Sequence, residues 1–193
     1  MSLNVKEIFY SLQGEGGRQG EASIFIRLAG CNLRCAFCDT DFSDGTAMKL
    51  DEILSVIRQY PCLWLIWTGG EPALQLTAED IVYFKQKGYF QAIESNGHYS
   101  LPNGLDYTVV SPKGNIKYAA KINHLIDEIR LPVEIGDKLP DINILPHAKL
   151  YFISPIFSEK KKTQKNIDYC VELVKQNPQW RLSLQMHKLI GIE

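Results

Sequence analysis

The chain alternates short apolar runs with helical stripes of apolar residues. An extended segment is predicted near Val5 to Tyr10, and SIFIRL at 23 to 28 has the β-branched and aromatic content of a strand. In LDEILSVIRQY, residues 50 to 60, Ile53, Leu54 and Ile57 fall at helical spacing, and the apolar run CLWLIW at 62 to 67 then reads as a strand ending in the turn TGGEPAL. TAEDIVYFKQKG at 77 to 88 predicts a second helix, with Thr77 as N-cap, Asp80 three residues on and Gly88 as stop, before the strand YFQAIES. Further strands are expected at LDYTVV (105 to 110), DEIRLPV (127 to 133), KLYFISP (149 to 155) and RLSLQ (181 to 185). An amphipathic helix is expected over 163 to 176, with the lysines at 160 to 162 as its solvated entry.

Alternating strands and helices predict an α/β fold of mainly parallel strands. The 193 residues fall short of the about 250 typical of a complete eight-unit barrel. The expectation is therefore a partial, truncated TIM-like barrel with some helices missing. With no internal repeat, low-complexity tract or linker, residues 1–193 are read as a single domain.

Composition narrows the chemistry. The chain is 45% hydrophobic and 22% charged, as ordinary globular proteins are, and its net charge of -1 shows no basic excess for a phosphate backbone. Nucleic acid is not an expected partner. The longest apolar run, 62 to 67, is too short to cross a bilayer, and the first residues lack the basic-then-apolar pattern of a secretory signal. A cytoplasmic location without a membrane partner is expected. In a reducing compartment, an odd count of five cysteines favours metal or catalytic use over disulfides.

Three of those cysteines, Cys31, Cys35 and Cys38, lie together in GCNLRCAFCDTDF. Structural zinc calls for four Cys or His ligands, yet Cys62 and Cys170 stand alone, and the spacing of His98, His124, His147 and His187 suggests no fourth ligand. An iron-sulfur cluster of four irons can use three thiolates and leave one iron open to a chelating small molecule. CNLRCAFC resembles the CxxxCxxC signature of the radical S-adenosylmethionine superfamily, and TGGEP, Thr68 to Pro72, resembles the turn with which that superfamily holds the methionine amine. The resemblance implies that Cys31, Cys35 and Cys38 ligate a [4Fe-4S] cluster. Its open iron would bind S-adenosylmethionine, and one electron passed to the sulfonium would release methionine and a 5'-deoxyadenosyl radical.

SLQGEG at 11 to 16, FIRLAGCNLRC, CDTDF, TGGEP, SPK at 111 to 113 and LQMHKLIGI near the end together resemble the 7-carboxy-7-deazaguanine synthase family almost end to end. That resemblance implies a radical ring contraction of 6-carboxy-5,6,7,8-tetrahydropterin to 7-carboxy-7-deazaguanine with loss of ammonia, on the way to queuosine and other 7-deazapurines. It implies substrate contacts at Leu12, Gln13, Gly14, Arg27 and Thr68, and cofactor contacts at Phe37, Cys38, Asp39, Gly70, Ser111, Pro112 and Lys113. It also implies Mg2+ on the Thr40 hydroxyl, a homodimer and a flavodoxin-like electron donor. A planar guanidinium at Arg27 suits a carboxylate or polar ring edges, and Mg2+ accepts one oxygen ligand while keeping several waters.

Other residues are read more plainly: Glu15 as a surface residue, His187 as a strand-end core histidine with a substrate-pocket role as its alternative, and Cys62 and Cys170 as buried small hydrophobes. Ser154-Pro155 replaces the Gln-Pro of many relatives, so no cofactor contact is carried to Ser154, nor any role to Glu193. The nearest rival is a glycyl-radical-enzyme activase, against which SLQGEG and the HK-containing terminus speak. A second rival is a zinc or electron-transfer module, which would need a fully ligated metal centre.

Overall fold

Seven strands run parallel in one nine-stranded sheet of order β3-β1-β2-β4-β5-β6-β7-β8-β9. The computed structural model describes residues 2–113, 122 and 125–192. The sheet begins with β1 (Ser2–Leu12), β2 (Ala22–Leu28) and β3 (Thr46–Lys49), where β1 pairs antiparallel with both others. From β2 onward every neighbour is parallel: β4 (Trp64–Gly69), β5 (Phe90–Ser95), β6 (Tyr107–Val110), β7 (Ile126–Val133), β8 (Ala148–Pro155) and β9 (Arg181–Leu182).

The helices are α1 (Leu50–Ile57), α2 (Ala78–Gln86), α3 (Lys160–Gln176) and α4 (Met186–Ile190). Thr77 caps α2 in a capping box with Asp80, as its sequence predicts. Ile53, Leu54 and Ile57 of α1, Ile81 and Phe84 of α2 and Cys170 of α3 pack on Ile24, Ile26, Leu65, Trp67, Ile93, Ile129 and Ile153 in one apolar core. Because strand side chains alternate, the opposite face carries Phe25, Arg27, Thr68, Glu94, Glu128 and Arg130. The fold is thus a truncated α/β barrel with an apolar outer layer and a polar inner face. Residues 96–106 between β5 and β6 hold no helix, and the stretch between β7 and β8 holds only a short 3-10 turn, Ile142–Ile144. No helix among the described residues is long and apolar enough to cross a membrane.

Three expectations change. The strand predicted at 181 to 185 is only two residues long. Beyond it Ser183 still donates to Ile153 O (2.9 Å), but its Oγ accepts from Gly16 N (2.9 Å) and Met186 N donates to Gly14 O (2.9 Å), so the chain leaves the sheet to dock α4 on the Gly14–Gly16 loop. The first strand is longer than Val5 to Tyr10 because it has a partner on each edge. Cys62 is only half-buried, packing against the margin of the core while its thiol donates to Ala22 O (3.1 Å), whereas Cys170 is fully buried.

Candidate functional site

The cysteine loop leaves the carboxyl end of β2, the end at which the parallel strands of such barrels carry their chemistry. Gly30 N donates to Phe42 O (2.9 Å) and closes the loop's base, while Cys38 N donates to Cys35 O (3.0 Å). Directly beneath lies the TGGE turn: Gly70 N bonds Leu28 O and Glu71 N bonds Gly30 O, both at 2.9 Å. A Cβ on Gly70 would fall 1.8 Å from Gly30 O, and one on Gly69, at φ +116°, 2.2 Å from Leu28 O. The glycine pair therefore serves an approach of backbone to the cysteine loop itself. Buried Glu71 accepts from Ser95 Oγ (2.8 Å), Asn96 N (2.7 Å) and Ala73 N (3.0 Å), and Asn96 Nδ2 donates to Asn32 Oδ1 (2.8 Å). Burial pushes the Glu71 carboxyl up, against the pull of those bonds. The ends of β4 and β5 are tied in this way to the loop carrying the thiols.

All five cysteines are free, and Cys31, Cys35 and Cys38 line one cavity of about 250 Å³. Burial raises the Cys31 and Cys35 thiols above their ordinary value. Among the described residues no three His, Cys, Asp or Glu side chains converge as a single ion would require, and His124 lies outside those residues. Three thiols on one wall fit a cluster that takes one thiolate per iron.

Of the residues expected at the cofactor, Phe37, Cys38, Asp39, Gly70, Ser111 and Lys113 line this cavity. Pro112 is buried and is not among the lining residues. Ser111 Oγ donates to Arg130 O (2.7 Å) and accepts from Lys113 Nζ (2.6 Å), which stands 5.9 Å from the centre of the Phe37 ring. Burial lowers the Lys113 ammonium below its ordinary value. Ser154, to which no contact was carried, lines the same cavity, and its buried Oγ has no hydrogen-bond partner among the described residues. Such an orphan is a place for a polar group of a ligand.

A second cavity, about 580 Å³, continues from the first across a shared wall that includes Asp39, Thr40 and Thr68. Leu12, Gln13, Gly14, Arg27 and Thr68, the residues expected at the substrate, all line it. Arg27 Nε donates to Glu7 Oε1 (2.6 Å) and its guanidinium lies 5.5 Å from the centre of Phe9, itself stacked on Phe25 at 4.9 Å. The Glu7 bond occupies the arginine's Nε and leaves its two terminal amino groups outside that bond. Gln13 is more occupied than expected, because Nε2 donates to Glu94 Oε1 (3.1 Å) and Oε1 accepts from Glu15 N (3.1 Å). Burial works against the Asp39 carboxylate, but its ion pair with Lys188 of α4 outweighs this and holds it below the usual carboxylate range.

Several wall residues escape the sequence reading. Glu15, Glu94, Arg130, Gln185 and Lys188 line both cavities, so Glu15 is not a free surface residue. His187 lies on α4 instead of at a strand end and lines the second cavity, and burial lowers its pKa. A signal for part of this set exists: Glu94, Glu128 and Arg130 put charges within buried strands, where a buried charge demands a partner. Glu193 lies outside the described residues.

Comparison with known proteins follows the same lines. Residues 25–183 match the family model described as the radical SAM superfamily. The chain is 40% identical over 192 residues to the 7-carboxy-7-deazaguanine synthase of Bacteroides thetaiotaomicron and 36% identical over 216 residues to that of Bordetella pertussis, covering 100% of both chains in each case. The crystal structure of QueE from Escherichia coli superposes with a TM-score of 0.75 at 25% identity, over 97% of this chain and 95% of that one.

Proposed function

Because the chain belongs to the 7-carboxy-7-deazaguanine synthases of the radical SAM superfamily, we propose that its two joined cavities divide the work of that enzyme between cofactor and substrate. The protein is a radical S-adenosylmethionine enzyme that converts 6-carboxy-5,6,7,8-tetrahydropterin to 7-carboxy-7-deazaguanine and ammonia. The observation that carries the division is the single wall shared by the thiol-lined cavity and the Arg27 cavity, with Thr40 and Thr68 on it.

Cys31, Cys35 and Cys38 would hold the [4Fe-4S] cluster, with Phe37, Asp39, Gly70, Ser111, Lys113 and the Ser154 hydroxyl around S-adenosylmethionine. When bound, cluster and cofactor supply one-electron, hydrogen-abstracting chemistry. The chain's own contribution is to position the substrate and exclude water. Arg27, held by Glu7, offers its terminal N–H pair to the substrate carboxylate. Leu12 gives an apolar wall to the ring, and the Thr68 hydroxyl hydrogen-bonds its edge. Thr40 Oγ1, on the common wall, is the oxygen we assign to Mg2+, which would supply positive charge beside the substrate. Residues 1–193 act as one domain, in the cytoplasm, as a homodimer reduced by a flavodoxin-like protein.

Anaerobic reconstitution separates this reading from its rivals. It predicts four irons per chain and a change in the reduced cluster's EPR spectrum when S-adenosylmethionine is added. Stable one-to-one zinc with no response to the cofactor would overturn it. An activase would require a protein substrate.

A further inference from the structure

At the junction of the two cavities Arg130 of β7 is buried among three carboxylates. Its Nη1 lies 3.3 Å from both Glu15 Oε2 and Glu94 Oε2, and its Nη2 lies 3.4 Å from Glu94 Oε1 and 3.2 Å from Glu128 Oε2. The side chain of Arg130 is 7% exposed, that of Glu128 1%, and those of Glu15 and Glu94 18% and 19%. The three acids are not equivalent. Glu128 Oε1 also accepts from Tyr107 OH (2.7 Å) and Gly17 N (2.9 Å), and Glu128 lines neither cavity. It anchors the arginine. Glu15 and Glu94 line both cavities, and apart from the arginine they receive side-chain amide N–H groups from Gln185 (3.0 Å) and Gln13 (3.1 Å). Acceptor capacity is left on each.

Two neighbouring carboxylates in a largely dry site repel each other, and burial favours protonating one of them. Burial raises the Glu94 carboxyl above its ordinary value, and the Arg130 guanidinium is the strongest influence opposing that rise. A planar fork bridging both acids fixes their positions as well as their charge, which a lysine cannot do. The loop carrying Glu15 reaches the arginine because residue 16 is glycine: at φ +73°, a Cβ there would fall 2.1 Å from Glu128 Oε2 and 2.5 Å from Arg130 Nη2.

We propose that Arg130 is a positioning residue for the pterin: its terminal N–H groups are taken by carboxylates, and by bridging Glu15 and Glu94 it holds two acceptors where the substrate's N–H donor edge sits. The inference rests on the function given above. Its test compares Arg130→Gln and Arg130→Lys with the parent protein, all as reconstituted holoenzyme, by iron content, S-adenosylmethionine affinity and steady-state kinetics with the tetrahydropterin. Arg130→Gln should raise KM for the pterin by about 10- to 100-fold while iron content and cofactor affinity change less than about twofold. Arg130→Lys should recover part of that loss, restoring charge without the fork. An unchanged KM, or cofactor affinity and iron content falling in parallel with it, would overturn the proposal. Should Arg130→Gln not fold, the same split is read in Arg130→Lys, where a parental KM overturns it. A parent protein that fails to convert the pterin removes the function itself, whereas a parental KM in a variant of an active enzyme removes Arg130 alone.

Discussion

At the scale of single residues, the roles proposed for the thiols and for Thr40 can be separated by substitution. Cys35→Ala removes one of the three proposed ligands, so cofactor cleavage should fall to background and iron content should drop, both measured after anaerobic reconstitution. Thr40→Ala should keep the iron and the cofactor-induced EPR change but lose the Mg2+ response of turnover, seen by titrating the metal during the assay. The cysteine trio was legible in the sequence because its ligands sit within eight residues, so the spacing alone brings them together. Glu15, Glu94 and Arg130 were not, since Arg130 lies 115 residues from one partner and 36 from the other. Only the charges within the buried strands β5 and β7 hinted that something must meet them. Arg27 was placed by resemblance, but its clamp by Glu7 depends on the antiparallel register that sets Glu7 opposite it.

At the scale of elements, the turn after β4 acts as a floor for the cysteine loop. Gly70→Ala puts a methyl group into Gly30 O and forces two backbones apart, an overpacking that costs about 1 to 3 kcal/mol. Chemical denaturation should read that loss, and reconstituted Gly70→Ala should surrender iron to a chelator faster than the parent. Helix α4 gives a pH signature. Burial holds His187 below its ordinary value of 6.5, so above that pH the ring is neutral whether folded or unfolded. As pH falls through about 6.5 the unfolded chain takes up a proton that the folded chain resists, and stability is lost in that direction. His187→Gln should flatten this part of the stability profile, measured as the unfolding midpoint against pH. An unchanged slope would remove the histidine from the account. The helix itself was hidden because its five residues, Met186–Ile190, are too few to show a helical period, and the docking of Ser183 and Met186 on the Gly14–Gly16 loop turns the chain away from the strand that LSLQ suggests.

At the scale of the molecule, hydrophobic period and chain length were enough to predict a truncated parallel barrel, because α1, α2 and α3 each show in sequence the apolar stripe that covers one face of the sheet. What period alone could not give is the polar inner face, where long-range ion pairs replace apolar packing. The order of the strands puts the cysteine loop, the glycine turn, Ser111 to Lys113 and Ser154 at one end of the sheet and Arg27 beside them. The central claim is that this one edge performs a ring contraction of a pterin. It is tested most directly by incubating the reconstituted, reduced protein anaerobically with S-adenosylmethionine, Mg2+ and 6-carboxy-5,6,7,8-tetrahydropterin and following product by mass spectrometry. The account predicts 7-carboxy-7-deazaguanine with one ammonia per product. Cofactor cleavage without any deazapurine, under conditions where a known synthase forms it, would contradict it.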